Sequence, residues 1–360
     1  MFPRVNLRHL QAQYPDLDIS TIDTDPETAY RVAEATLAHY FGVTARLSRA
    51  HLTPRIPARL QYLAAIERLC EPADVVREQL RIPEGALVDV GTGAAAIMPL
   101  LHCKRYWVAT ECNKSSVDHA AAILKANNLQ EQINLRHQAL WPAVPVRYLV
   151  CNPPFYHDEG DLRARHRAKR GAKMGAALPL NPSELYYPGG EVAFIKWMID
   201  SSKRYNSHPF AWYSSLVGIH GDIGAIVAYL EHHQISNRVV IPLRLGPTTR
   251  WVVAWAFHEV PAPPALDTSP PQRGWRSLPV SLTTKPYGDY VVAAAPTWLR
   301  KYRRALGERQ QLMAGLIVAR VDSEVQVVAN YSAVDTNTIR NSLSSMIAGC
   351  EPAAKRHRRA

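Results

Sequence analysis

The chain has 360 residues and a mass of 40.2 kDa, of which 47% are apolar, enough for one large domain and a smaller one. Its 42 Lys and Arg exceed 31 Asp and Glu, and the formal charge of +11 with a pI near 9.5 favours a polyanionic partner. No uninterrupted apolar stretch reaches membrane-spanning length, Pro3, Arg4 and Arg8 break any secretory pattern, and the five cysteines form no C-x-x-C pair. A membrane protein, a secreted disulfide scaffold and a metal site are therefore not expected.

Apolar periodicity predicts helices over 26–41 and 57–70, then strands near 86–90, 106–110 and 147–151 alternating with helices over 114–127 and 190–204. Alternation of this kind makes a doubly wound α/β sheet. The first strand, Ala86-Leu87-Val88-Asp89-Val90, runs into Gly91-Thr92-Gly93 and an Ala-rich helix start. Gly91 and Gly93 let the backbone approach a ligand, and Asp89 stands where a cationic or amine-bearing group would be held. Ala96 replaces the third glycine of the dinucleotide fingerprint and no phosphate-binding Lys follows, so S-adenosylmethionine suits the loop better than NAD or ATP. The second strand leads into Glu111, the position at which an acidic side chain takes ribose hydroxyls in nucleotide-binding α/β folds.

The third strand, Tyr148-Leu149-Val150-Cys151, is apolar throughout and opens on Asn152-Pro153-Pro154-Phe155. The Asn152 amide oxygen and the Pro153 carbonyl can each accept one hydrogen of an exocyclic amine, which turns the nitrogen lone pair toward an electrophile. Pro153 and Pro154 stiffen the backbone and remove its donors, and Phe155 offers a face for a stacked heterocycle, with Tyr156 beside it. A Pro-stiffened turn is the bland alternative for four residues taken alone. The following segment, 157–188, is too long for an ordinary connection and carries Arg163, Arg165, Arg167, Lys169, Arg170 and Lys173. It is expected to be a mobile basic loop that clamps a phosphate backbone while a base is extruded, against the alternative of a solvated insert.

Further on, 210–217, a helix near 221–233, and strands over 238–243 and 250–257 complete a seven-stranded sheet whose last pair is antiparallel. Pro261-Ala262-Pro263-Pro264 and Ser269-Pro270-Pro271 mark a stiff linker over 259–275. A small α+β module is expected over 276–350, with a strand over 288–295, a basic helix over 297–312, two strands near 315–329 joined at Asp322-Ser323, and a helix over 335–347. The basic tail, 351–360, ends the chain.

The combination of Val88-Asp89-Val90-Gly91-Thr92-Gly93-Ala94, Ala109-Thr110-Glu111, Cys151-Asn152-Pro153-Pro154-Phe155, Gly189-Gly190-Glu191, Trp212-Tyr213-Ser214-Ser215 and Arg250-Trp251-Val252-Val253-Ala254-Trp255 resembles the methyltransferase-like protein 16 family, which includes bacterial 23S ribosomal RNA adenine-N6 methyltransferases. The resemblance extends to Tyr14-Pro15-Asp16 and Pro54-Arg55-Ile56-Pro57-Ala58-Arg59. It implies a Rossmann-like class I S-adenosylmethionine-dependent fold over 86–258 behind an N-terminal helical RNA-binding region over 1–85, with Arg59 on the cofactor's methionine carboxylate. It also implies adenine-N6 methylation of structured RNA, U6 small nuclear RNA above all, and work in the nucleus, or in the cytoplasm for a bacterial ribosomal substrate. The basic N-terminal arm typical of the family is reduced here to Arg4 and Arg8. Read from the residues alone, three rivals remain: a protein glutamine N-methyltransferase, a DNA adenine methyltransferase, and a catalytically silent RNA-binding protein on the same fold.

Overall fold

The structure, a computed structural model, describes residues 2–79, 82–141, 144–168, 182–205, 208–245, 248–258, 262, 277–281, 316–321 and 324–330. The chain divides into two compact units, Met1–His258 with Ala265–Thr268, and Glu259–Pro264 with Ser269–Ala360. In the first, α1 (Leu7–Gln13) begins at Asn6, whose side chain accepts from the Arg8 and His9 amides. Asp25 caps α2 (Pro26–Phe41) in the same way, Pro26 supplies a fixed φ at its first turn, and Gly42 in the left-handed region ends it. Helix α3 (Ile56–Gln79) overruns the expected end at 70. Pro72 lies inside it, a residue that normally stops a helix, but Leu69, Cys70 and Ala73 are all buried on either side, so packing carries the helix past the missing N–H.

The sheet is built from β1 (Ala86–Val90), β2 (Trp107–Glu111), β3 (Ile133–His137), β4 (Val146–Cys151), β5 (Trp212–Val217), β6 (Asn237–Leu245) and β7 (Thr248–Ala256) in the order β3-β2-β1-β4-β5-β7-β6. Strands β1 to β5 run parallel, and β7 lies antiparallel between β5 and β6. Helices α4 (Ile97–Leu101), α5 (Lys114–Ala126), α6 (Glu159–Ala168), α7 (Gly190–Arg204) and α8 (Ile223–His232) make the connections. The parallel strands are buried along most of their length, as their continuous apolar runs require, and Tyr213, Trp255, Trp141, Met198 and Ile226 fill one core against them. Pro242 is tolerated because β6 is the edge strand of this sheet among the described residues.

At the foot of the sheet, the almost fully buried Arg147 of β4 donates to both oxygens of Glu67 at 2.9 Å and to Asp74 at 2.6 Å, with both acids on α3. At the other end, Val90 pairs with Thr110 on one side and Cys151 on the other, so the residues after β1, β2 and β4 leave the sheet side by side. The order reverses between β1 and β4, the crevice in which open α/β sheets bind their ligands.

Two expectations are corrected. Segment 157–188 is not one long loop: α6 spans Glu159–Ala168, and a 3-10 turn follows at Pro182–Glu184. Its acidic first turn, Glu159 and Asp161, and the ion pairs Glu159–Arg163 and Asp161–Arg165 at helical spacing favour a helix over open coil. Arg167 lies on α6, while Lys169, Arg170 and Lys173 lie outside the described residues. In the second unit, β9 (Leu316–Val321) and β10 (Glu324–Asn330) form the expected hairpin, and β8 (Ser277–Ser281), not anticipated, pairs antiparallel with β10. The helices expected over 297–312 and 335–347, the strand over 288–295 and the basic tail fall outside the described residues.

Candidate active site

Three strand ends and one helix meet in the crevice. After β1 the chain turns through Gly91, with φ +69°, and Gly93, with φ +67°, a conformation that a side chain would strain. The turn is tied to β2 because the Gly91 and Thr92 amides both donate to the Thr110 carbonyl at 2.9 Å. A Cβ built on Gly91 would meet nothing within 4 Å, so the glycine borders open space.

Asp89 is 3% exposed and accepts from the Thr92 hydroxyl at 2.7 Å. Burial pushes its carboxyl up to about 7, against the Thr92 bond and the attraction of Arg59. Glu111 is also buried, with one oxygen accepting from the Gly93 amide at 3.0 Å and the other from the Asn113 amide at 2.8 Å. Each oxygen keeps a second lone pair for a ligand. Arg59, on α3, is partly exposed, yet burial lowers its pKa below the ordinary arginine value and the attraction of Asp89 only partly compensates. Its guanidinium makes no ion pair with any described residue.

Sequence reasoning passed over Glu184. It stands in the 3-10 turn ahead of α7, and one oxygen accepts from the Leu52 amide at 2.9 Å while the other lies 3.9 Å from where a Gly93 Cβ would be. Burial, with Glu111 nearby, pushes it up to about 7. No motif marks it, because the contact joins residues 132 apart in sequence. Asp89, Glu111 and Glu184 thus place three carboxyls about the glycine turn, with Arg59 as a nearby cation.

On the other side of the crevice, Asn152 follows β4 directly, and its amide oxygen is buried without a hydrogen-bond partner among the described residues. Pro153 is buried, and Pro154 and Phe155 are partly so. Tyr156 is bonded to the segment before α7, donating to the Leu185 carbonyl at 3.0 Å and accepting from the Tyr187 amide at 2.9 Å. The strand end is fixed from behind by Tyr62 of α3, fully buried, whose hydroxyl accepts from the Cys151 amide at 3.3 Å and pairs with the Ser214 hydroxyl at 2.9 Å. Ser214 in turn donates to the Leu149 carbonyl at 2.8 Å. Tyr62→Phe should leave the Cys151 amide without this acceptor and lower unfolding free energy by about 1–3 kcal/mol, read from denaturant melts. An unchanged midpoint would remove Tyr62 from the support of this strand.

Arg4 and Arg8 are exposed at the N-terminus, and Arg163 is exposed on α6. Arg165 is bonded to Asp161 at 2.6 Å and lies 5.9 Å from the Tyr156 ring centroid, beside the tetrad. Among the described residues no group of His, Cys, Asp and Glu has the makings of a metal site.

Residues 7–259 match a family model described as RNA methyltransferase. The chain belongs to that family. It is 30% identical over 250 residues to the U6 small nuclear RNA (adenine-(43)-N(6))-methyltransferase of Schizosaccharomyces pombe, covering 66% of this chain and 62% of that protein. It is also 30% identical over 261 residues to Ribosomal RNA large subunit methyltransferase F of Dechloromonas aromatica, over 65% of this chain and 75% of that one. The crystal structure of the hMettl16 catalytic domain in complex with a MAT2A 3′UTR hairpin superposes with a TM-score of 0.61 at 25% identity, over 72% of this chain and 95% of that domain. The expected class I methyltransferase fold is therefore the observed one. The chain spans less than two thirds of the length of the Schizosaccharomyces pombe relative, at 62%.

Proposed function

We propose that this RNA methyltransferase family member transfers a methyl group from S-adenosylmethionine to N6 of an adenine in structured RNA, U6 small nuclear RNA or a similar hairpin. The observation that carries the reading is the buried, unpartnered amide oxygen of Asn152 at the end of β4. An orphaned buried acceptor costs about 1–3 kcal/mol, and an exocyclic amine bound there would satisfy it.

The residues present fit the cofactor. Asp89, Glu111 and Glu184 would hold its polar groups, Gly91 and Gly93 would let its nucleoside approach the backbone, and Arg59, free of ion pairs with described carboxylates, would take its methionine carboxylate. When bound, S-adenosylmethionine supplies an electrophilic methyl group. Asn152 Oδ1 and the Pro153 carbonyl accept the two hydrogens of the adenine amine and aim its lone pair, while Pro154 keeps the backbone stiff and Phe155 stacks on the base. No strong base is needed, since the amine becomes acidic only as it gains the methyl and then loses its proton to water; positioning supplies most of the acceleration.

Methyl transfer by the full chain to an adenine-containing hairpin RNA, to single-stranded DNA of the same sequence and to a glutamine peptide tests the reading. Transfer to the RNA alone is expected, because a 2′-hydroxyl reader prefers RNA. Transfer to the peptide, or cofactor binding without transfer to any acceptor, would overturn it. A ribosomal RNA substrate is the second reading, favoured by the 30% identity to the bacterial ribosomal enzyme; a U6 hairpin run against a 23S fragment separates the two. A U6 substrate puts the work in the nucleus, a bacterial ribosomal one in the cytoplasm.

For RNA contact, Arg4, Arg8, Arg163, Arg165, Arg167, Lys169, Arg170 and Lys173 are the proposed phosphate ligands, with the second unit as an additional RNA-binding module. Because Arg163 and Arg165 are already paired with Glu159 and Asp161, a phosphate must compete for them. Neutralising Arg167, Lys169 and Arg170 together should therefore flatten the salt dependence of RNA binding by roughly 0.7 per lost contact, and neutralising Arg163 and Arg165 by less. Deleting residues 272–360 should weaken binding of the preferred RNA and spare methylation of a short oligonucleotide. Filter binding across a salt series, beside single-turnover methylation, reads both; an unaltered slope in the triple variant would make this segment a solvated insert.

A further inference from the structure

Glu191 and Gly218 are left without a task by the chemistry above. Glu191, near the start of α7, is 1% exposed, and a carboxyl removed from water to that extent needs strong partners. Its two oxygens accept from consecutive amides of the turn after β5, Gly218 N at 2.8 Å and Ile219 N at 3.0 Å. The carbonyl of Gly218 is held as well, accepting from Arg250 Nη1 at 3.2 Å. One short turn is thus gripped by a helix on one side and by a strand on the other.

Space, not conformation, requires glycine at 218. Its φ lies outside the left-handed region, so any residue could adopt its backbone, but a Cβ would stand 2.8 Å from Phe155 Cδ1 and 2.9 Å from Phe155 Cε1, and 3.3 Å from Glu191 Oε2. The Cδ1–Cε1 edge of the Phe155 ring therefore lies close against Gly218, in the space a side chain there would take. Among the described residues it has no aromatic partner, although aromatic side chains cluster on the neighbouring helix and strands. A ring seated on backbone from one side and unpartnered by other rings is poised to receive a planar group.

We infer that Glu191 and Gly218 are positioning residues for the target base: Glu191 fixes the turn, Gly218 gives the Phe155 ring a seat without a side chain, and together they set the slot in which a planar aminopurine stacks beside Asn152. The inference rests on the reading of Phe155 as the stacking ring. It makes Gly218 act on the reaction only through Phe155, which a merely structural glycine would not do.

A double-mutant cycle tests it with full-length wild type, Gly218→Ala, Phe155→Ala and the double variant, assayed for cofactor affinity by calorimetry and for kcat and KM on an adenine hairpin RNA. Gly218→Ala is expected to leave cofactor affinity unchanged and to lower kcat/KM for RNA by about tenfold, the scale of a lost base stack. Phe155→Ala should cost a similar factor, and the double variant should be no worse than Phe155→Ala alone. Glu191→Gln, which keeps one of the two amide acceptors, should fall in the same direction with cofactor affinity retained. Additive losses in the cycle, or a wild-type rate for Gly218→Ala while Phe155→Ala is impaired, would overturn the inference. A wild-type rate for Phe155→Ala would instead remove Phe155 from the base site. If Glu191→Gln does not fold, as judged by its melt, the Gly218 cycle still decides.

Discussion

Asn152→Ala is expected to reduce methyl transfer to RNA by about 10²-fold or more while leaving cofactor affinity nearly intact. The argument is one of balance. Among the described residues the Asn152 amide oxygen is buried without a hydrogen-bond partner, so its removal breaks no bond within the protein and should not destabilise the fold. In the reacting complex the same oxygen would hold one hydrogen of the target amine and point its lone pair at the methyl group. The variant should thus melt at or above the wild-type temperature and fail in turnover, a combination that general misfolding cannot produce. Single-turnover methylation beside thermal melts reads both quantities, and a near wild-type rate would show that the amine is held elsewhere.

Asp89→Asn carries the second large effect. The folded-state pKa of Asp89 is raised to about 7 from the ordinary 3.8, so between these values the folded protein holds a proton that the unfolded chain has already released. Stability is therefore lost as pH rises through this window, fully present below it. Glu184 and Glu191 act in the same direction, up to about 7 and about 8. Asn cannot ionise, so the variant should melt higher than wild type at pH 8 and by a smaller margin at pH 5, where only part of the loss has occurred. Cofactor binding should weaken by about 10- to 100-fold, the scale of one hydrogen bond to a charged group. Melts at the two pH values and titration calorimetry with S-adenosylmethionine check the pair of outcomes; a variant that is no more stable at pH 8 and binds normally would make Asp89 a structural partner of Thr92 alone.

Much of the architecture was legible because it rests on local pattern. The runs at β1, β2, β4 and β5 are mostly apolar and buried along almost their whole length, as parallel strands are, and the Asp89-to-Gly93 turn and the Asn152-Pro153-Pro154-Phe155 segment sit at their ends, where sheet geometry gathers chemistry. Strand β3 escaped notice because only Ile133 in it is fully buried, leaving no continuous apolar run. Helix α6 was hidden under its charge: Arg163 and Arg165 read as loose phosphate ligands until Glu159 and Asp161 proved to stand one turn before them. Glu184 and Gly218 could not be read at all. Their meaning lies in contacts with Leu52 and Phe155, and neither composition nor period encodes an encounter between segments so far apart.

Helix α3 also sets a timetable. Its Glu67 and Asp74 wait for Arg147, 80 and 73 residues later, Tyr62 for Ser214, 152 residues later, and Gln61 for the carbonyl of Arg244, 183 residues later. Leu63, Ile66 and Leu69 on this helix are wholly buried in the finished protein, and β4 and β6, against which α3 packs, leave the ribosome long after it. At synthesis rates of about 5–20 residues per second, the last of these partners follows roughly 10–40 s behind. Contacts this distant make folding slow and leave a sticky helix uncovered in the meantime, so the nascent N-terminal region should depend on holding chaperones, and a ribosome stalled before residue 212 should carry a chain unable to close its own catalytic strand.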